Sequence, residues 1–62
     1  MTPNNAHNLM TQMVQEQKSL WRIENHYIKE SSSPDEKELW EKLRNDKKMH
    51  IEELRGLIKE NI

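Results

Sequence analysis

The chain of 62 residues contains no cysteine and no phenylalanine, and it has only one glycine and two prolines. Without cysteine there can be no disulfide and no thiolate metal site, and nothing indicates an oxidising compartment. A single glycine is too few for a phosphate-binding loop. No segment approaches the roughly 18 consecutive apolar residues that a membrane span requires. We therefore expect a soluble, cytoplasmic protein that does not contact a membrane.

Charge of one sign is also lacking, because 10 basic residues and 11 acidic ones leave a formal net charge of -1. A nucleic-acid binder needs a basic face to displace the counterions of phosphates. The aromatic residues Trp21, Tyr27 and Trp40 are too few and too scattered to stack on bases. No nucleic-acid partner is therefore expected. No catalytic triad or nucleophile motif is present either, so any enzyme here would have to use a metal.

The first half of the chain predicts one long helix, from about residue 5 to residue 30. Its apolar residues recur at steps of three, four or seven, and the run Thr2-Pro3-Asn4-Asn5 supplies capping residues at its start. They form two neighbouring stripes, Leu9, Met13, Leu20, Ile23 and Tyr27 in one, and Met10, Val14, Trp21 and Ile28 in the other. So broad an apolar face is typical of a helix that contacts more than one neighbour in a bundle.

A serine-rich turn at 31–33 leads to a second helix, predicted from about residue 34 to residue 60. Ser33 can cap this helix, and Pro34 suits its first position because no N–H bond is lost there. Glu36 follows Ser33 at the spacing of a capping box. The apolar face of the second helix is carried by Leu39, Trp40, Leu43, Leu54, Leu57, Ile58 and Ile62. So short a linker makes the two helices antiparallel neighbours.

The whole chain, 1–62, is thus predicted to be a single helical-hairpin domain. Two such helices leave apolar surface on both sides of the seam between them, and a chain this short cannot bury that surface alone. A twofold pairing is the commonest way to cover it. We therefore expect an all-α antiparallel hairpin that forms a homodimeric four-helix bundle, with another protein as a further partner of its surface.

Both predicted helices carry a polar residue in the middle of their apolar stripes. Glu16 stands between Met13 and Leu20, and His50 stands between Leu43 and Leu54. An antiparallel hairpin that turns near residue 33 places positions 16 and 50 level with each other. A carboxylate and an imidazole brought together in a bundle can form a metal site or a proton-transfer pair, and they can equally form a buried hydrogen bond.

The segments 13–18 and 44–54, together with the Ser-Pro-Asp turn at 33–35, resemble one half of a ferritin-like or rubrerythrin-like four-helix bundle. The resemblance extends from about Leu9 to Ile58. It implies a ligand glutamate in the first helix, a Glu-x-x-His pair in the second, and two irons when the half is doubled. Glu16 and His50 match the first glutamate and the histidine, whereas Lys47 stands where the second glutamate is expected.

Three interpretations of this polar layer remain open. In the first, Lys47 forms a salt bridge with Glu16 in place of a metal, and the protein is a non-catalytic structural or interaction module without a cofactor. In the second, Glu16, His50 and Glu53 from two chains hold iron, and Asp46 is a further substitute ligand. In the third, the layer is a solvated edge and the resemblance is accidental. The first is our working hypothesis, and a minimal non-haem di-iron oxidase or iron-handling protein is the alternative.

Overall fold

A computed structural model describes residues 3–60 as two antiparallel helices. The first helix, α1, spans Pro3–Arg22, and the second, α2, spans Pro34–Glu60. A five-residue π-helix, Ile23–Tyr27, continues α1 toward the turn. The described residues contain no strand, which confirms the all-helical fold with two helices. Neither helix in this range offers a stretch that is both long and apolar enough to cross a membrane.

The start of α2 follows from the residues around the turn. The backbone N–H of Glu36 donates to Oγ of Ser33 at 3.2 Å, which is the N-cap bond expected of this serine. The carboxylate of Glu36 accepts bonds from the backbone N–H and the hydroxyl of Ser32, at 3.0 Å each. In a capping box the carboxylate reaches back to the N-cap residue itself, so here it is displaced by one residue. These two bonds lower the pKa of Glu36.

The first helix departs from its predicted course after Arg22. The backbone N–H of Ile28 donates to the carbonyl of Ile23 at 3.0 Å, a five-residue step that defines the π-helix. The side chain of Asn25 donates to the Trp21 carbonyl at 2.9 Å, and the α-helical partner of that carbonyl would be the Asn25 backbone N–H. The sequence placed the end of this helix at about residue 30. The helical structure ends at Tyr27, and the turn occupies 28–33.

The core of the hairpin is small. Among residues 4–60, whose side chains the structure describes, the buried ones are Ile23, Ile51 and Glu16, with 3%, 6% and 9% of their surface exposed. The rings of Tyr27 and Trp40 lie 4.8 Å apart, centroid to centroid, near the turn. A seam between only two helices has room for a single line of enclosed side chains from each. The predicted capping residue Thr2 and the predicted apolar residue Ile62 lie outside the described residues.

Apolar surface remains exposed on both sides of the seam. On α1 the exposed side chains share the line of Met10, Val14, Gln17 and Trp21, which we call the Trp21 face. On α2 the exposed leucines lie on the line of His50, which we call the His50 face, formed by Leu39, Leu43, Asp46, His50, Glu53 and Leu57. Gln17 lines a groove on one side of the seam, and Leu57 lines grooves on the other. The two faces therefore lie on opposite sides of the hairpin.

The elongated shape accounts for this exposure. The molecule measures 45 × 14 × 12 Å and has a Cα radius of gyration of 14.2 Å, against about 11 Å for a compact domain of this length. Its accessible surface is 4779 Å², whereas a compact monomer of the same mass exposes about 4200 Å². The single hairpin thus leaves more of its surface in water than a compact domain of its size would.

Candidate polar site at the centre of the seam

The one buried carboxylate among the described residues, that of Glu16, contacts a lysine on the opposite helix. Nζ of Lys47 lies 2.8 Å from Oε2 of Glu16, and the two side chains are 28% and 11% exposed. The other oxygen, Oε1, accepts a hydrogen bond of 3.0 Å from the side-chain amide of Gln12, one turn earlier on α1. The salt bridge proposed from the sequence in our first interpretation is therefore present in the structure.

Lys47 is the main group that controls the charge of Glu16. Its ammonium lies 2.8 Å from Oε2, close enough to attract the carboxylate and to donate to it. A buried carboxylate without a nearby cation would be protonated more easily than one in water. The pKa of Glu16 is nevertheless lowered, chiefly by Lys47, and to a smaller extent by Gln12 and His50, while burial acts in the opposite direction. Glu16 is therefore held as a carboxylate.

His50 lies beside this pair, but at the surface. It is exposed, and it lines an open groove together with the polar residues Gln12, Glu16 and Glu53 and the leucines Leu54 and Leu57. The sequence therefore correctly placed positions 16 and 50 at the same level of the hairpin. In the single chain, however, His50 is exposed while Glu16 is buried.

The donor set of one chain does not fit iron. Among residues 3–60, no group of three or more histidine, aspartate or glutamate side chains is arranged to hold a metal ion. The buried oxygen of Glu16 that a cation would bind already contacts the ammonium of Lys47. Asp46, considered above as a substitute ligand, is absent from the groove that Glu16 lines. Glu16, His50 and Glu53 line this groove, but in one chain they are not arranged around a single metal position.

Two more ion pairs lie away from this site. Lys48 Nζ is 3.8 Å from Glu24 Oε2, a contact between α2 and the π-helix, and Arg55 Nη1 is 2.7 Å from Glu52 Oε1 within α2. All four side chains are well exposed, so each pair contributes little to stability. The sequence did not single out Gln12 as a partner of Glu16. Its position one turn before Glu16 on the same helix face was the available signal.

Comparison with models of protein families, with curated proteins and with solved structures gave no match to this chain. The resemblance to half of a ferritin-like bundle therefore stays a prediction from the residues quoted above.

Proposed function

We propose that this protein is a self-associating helical-hairpin module, without catalytic activity, in which a lysine replaces the metal of a ferritin-like site. The contact between Lys47 Nζ and Glu16 Oε2 at 2.8 Å carries the proposal. A carboxylate buried between helices must be neutralised, and a cation from the protein does this without a cofactor. Lys47 also occupies the position where the ferritin-like pattern has its second glutamate, so the charge at that position is reversed.

Self-association is supported by the apolar surface that one hairpin leaves in water. Trp21 is 57% exposed, Leu39 53% and Leu57 47%, although each lies on a line of apolar spacing. Exposed apolar patches in a small chain mark surfaces that other protein covers. A second hairpin would bury such a patch and complete a four-helix bundle, the assembly expected of two antiparallel helices with short connections. The function is then architectural, and another protein can be held on the bundle surface.

A second function, a di-iron centre shared by two chains, is favoured by one observation. Glu16, His50 and Glu53 line the same groove, and carboxylate oxygen and imidazole nitrogen are the donors that non-haem iron prefers. Within one chain this set is incomplete. The lysine at the buried oxygen also repels a divalent ion.

Metal analysis separates the two functions. The wild-type protein, purified without chelator, is analysed for bound iron and zinc and is then titrated with Fe²⁺ under anaerobic conditions. The same titration is made on Lys47→Glu, which restores the glutamate of the ferritin-like pattern. Lys48→Glu is the matched control, because it makes the same charge change one residue later, on a side chain that lines the opposite groove.

The proposal predicts that wild type and Lys48→Glu bind no stoichiometric metal. Binding that appears only in Lys47→Glu would support the view that the lysine has replaced a metal ligand. Stoichiometric iron in the wild-type protein would show that the proposal is wrong and that the di-iron function holds.

A further inference from the structure

The His50 face of α2 has the spacing of a coiled-coil seam. Its members follow one another at steps of four, three, four, three and four residues, so they form one continuous line along the helix. This line lies beside the seam with α1, and Leu39, Leu57, His50 and Glu53 on it are exposed. Leucine stands at both ends, and polar residues occupy the middle.

We infer that the His50 face is the surface on which a second copy of this chain docks, with the two α2 helices antiparallel and Asp46 of each copy opposite His50 of the other. The inference rests on the self-association proposed above and specifies its geometry. We choose a second copy as the partner because the His50 face is complementary to itself when one α2 helix runs antiparallel to the other. A twofold interface requires this self-complementarity.

The complementarity can be read along the helix, outward from residue 48. Leu39 and Leu57 are equally distant from this point, and so are Asp46 and His50. In an antiparallel pair centred there, Leu39 of one copy packs against Leu57 of the second at both ends of the interface. In the middle, the carboxylate of Asp46 faces the imidazole of His50 twice, once on each side of the axis. Two leucine layers and two layers of carboxylate against imidazole are therefore matched.

Other arrangements of the same face lose this match. A shift by one heptad in either direction places Asp46 against a leucine, which would leave the carboxylate without a partner in an apolar contact. A parallel pair would place Asp46 against its own copy and Glu53 against its own copy, and such like-charge contacts are unfavourable. The antiparallel register centred at residue 48 is the one that pairs Asp46 with His50 and Leu39 with Leu57 at the same time. A shift of one heptad toward the C-terminus would pair His50 with Glu53, but it would lose the leucine contacts.

Two symmetry-related layers of this register are unmatched, because Glu53 of each copy faces Leu43 of the other. Glu53 is exposed, and its long side chain can turn its carboxylate to water at the rim. Replacing Glu53 with leucine should therefore strengthen the dimer by adding two leucine contacts. The arrangement also covers the groove in which Glu16 lies, since His50, Glu53 and Leu57 line both the groove and the interface. The Lys47–Glu16 pair would then be more deeply buried in the dimer than in the single hairpin.

Charge exchange tests the register directly. The dissociation constant is measured by sedimentation equilibrium for full-length wild type, His50→Glu, Asp46→Lys and the double variant Asp46→Lys/His50→Glu. His50→Glu sets two carboxylates against each other in both central layers, and the dimer should weaken by about tenfold or more. The double variant restores opposite charges in both layers, so it should recover most of that loss.

The matched control is the pair Glu38→Lys and Lys42→Glu, alone and together. These residues have the same spacing as Asp46 and His50, but they are exposed on a part of α2 outside the His50 face, so the dissociation constant should stay within about twofold of wild type. Circular dichroism of every variant establishes that its helices are intact.

The possible results distinguish this inference from the proposed function. A wild-type protein that is monomeric throughout would overturn both. A wild-type dimer that is unaffected by His50→Glu, or that the double variant fails to rescue, would overturn the register and leave self-association standing. A dimer that resists His50→Glu and dissociates on Trp21→Lys would show that the copies dock through the Trp21 face, which also contradicts the inference.

Discussion

The Glu16–Lys47 pair allows the most detailed prediction about stability. Replacing Lys47 with methionine keeps most of the unbranched side chain and removes its charged end, so Glu16 loses the cation that holds its carboxylate ionised. At 2.8 Å the attraction between the two charges is between about 1.5 and 6 kcal/mol for effective dielectric constants of about 80 and 20. Desolvation offsets part of this attraction, and Lys47 keeps some contact with water. We therefore expect Lys47→Met to lower the free energy of unfolding by about 1–3 kcal/mol.

A double-mutant cycle isolates the interaction from the effect of each substitution. Glu16→Gln and the double variant Glu16→Gln/Lys47→Met complete the cycle, and the double variant should be more stable than the sum of the two losses implies, by about 1–2 kcal/mol. Urea unfolding is followed by far-UV circular dichroism at one fixed protein concentration, because the stability of an associating protein depends on concentration. A loss of only a few tenths of a kcal/mol on Lys47→Met would mean that water already solvates the pair and that the salt bridge does not stabilise the hairpin.

Three further predictions concern pH and the helices. The pKa of Glu16 is lowered in the folded chain, so its ionised form stabilises the fold above the pKa of the unfolded chain, and this contribution is lost as pH falls through the lower folded pKa. Glu16→Gln should therefore reduce the dependence of the unfolding free energy on pH in acid, measured by urea unfolding. An unchanged pH dependence would contradict this prediction. Ser33→Ala should lower the unfolding free energy by about 1 kcal/mol, because the backbone N–H of Glu36 loses its acceptor. An unchanged unfolding free energy would show that this N-cap bond does not stabilise α2. Gly56→Ala should raise the unfolding free energy by about 1 kcal/mol and with it the midpoint of thermal unfolding, because alanine favours the helix more than glycine does. Gly56 is exposed in α2, and a Cβ there would meet nothing within 4 Å. A lower midpoint would reveal a contact absent from the single hairpin.

The course of α2 and the central ion pair could be predicted from the sequence because each depends on local spacing. Ser33, Pro34 and Glu36 mark the start of α2, and the observed helix spans Pro34–Glu60 as predicted. Glu16 interrupts an apolar stripe, so its carboxylate was expected to be buried and to need a neutralising cation. Lys47 lies at the same level on the other helix and forms that ion pair.

The π-helix could not be predicted, because the Trp21 carbonyl can accept a hydrogen bond either from the backbone N–H of Asn25 or from its side chain. The side chain of Asn25 reaches the Trp21 carbonyl, and the backbone step lengthens at Ile23–Tyr27. Asparagine within an apolar stripe is compatible with a regular helix as well, so its presence alone does not decide the outcome.

The exposure of His50 and Trp21 was missed for a different reason. Apolar periodicity shows which side chains share a face, but it does not show how many neighbours that face has in one chain. A hairpin provides each helix with one neighbour, so the second stripe on α1 and the His50 face on α2 remain in water. In the proposed dimer, His50 would be covered by the second chain, as its position in the apolar stripe predicts. The single hairpin contains only half of the residues that would surround it.

The mass of the wild-type protein in solution, measured by light scattering across a dilution series, shows whether two chains pair. We expect a particle of twice the 7.5 kDa chain mass that dissociates on dilution with loss of helical signal. A monomer that stays fully helical at micromolar concentration would contradict this expectation, because one hairpin would then be stable with its apolar faces in water.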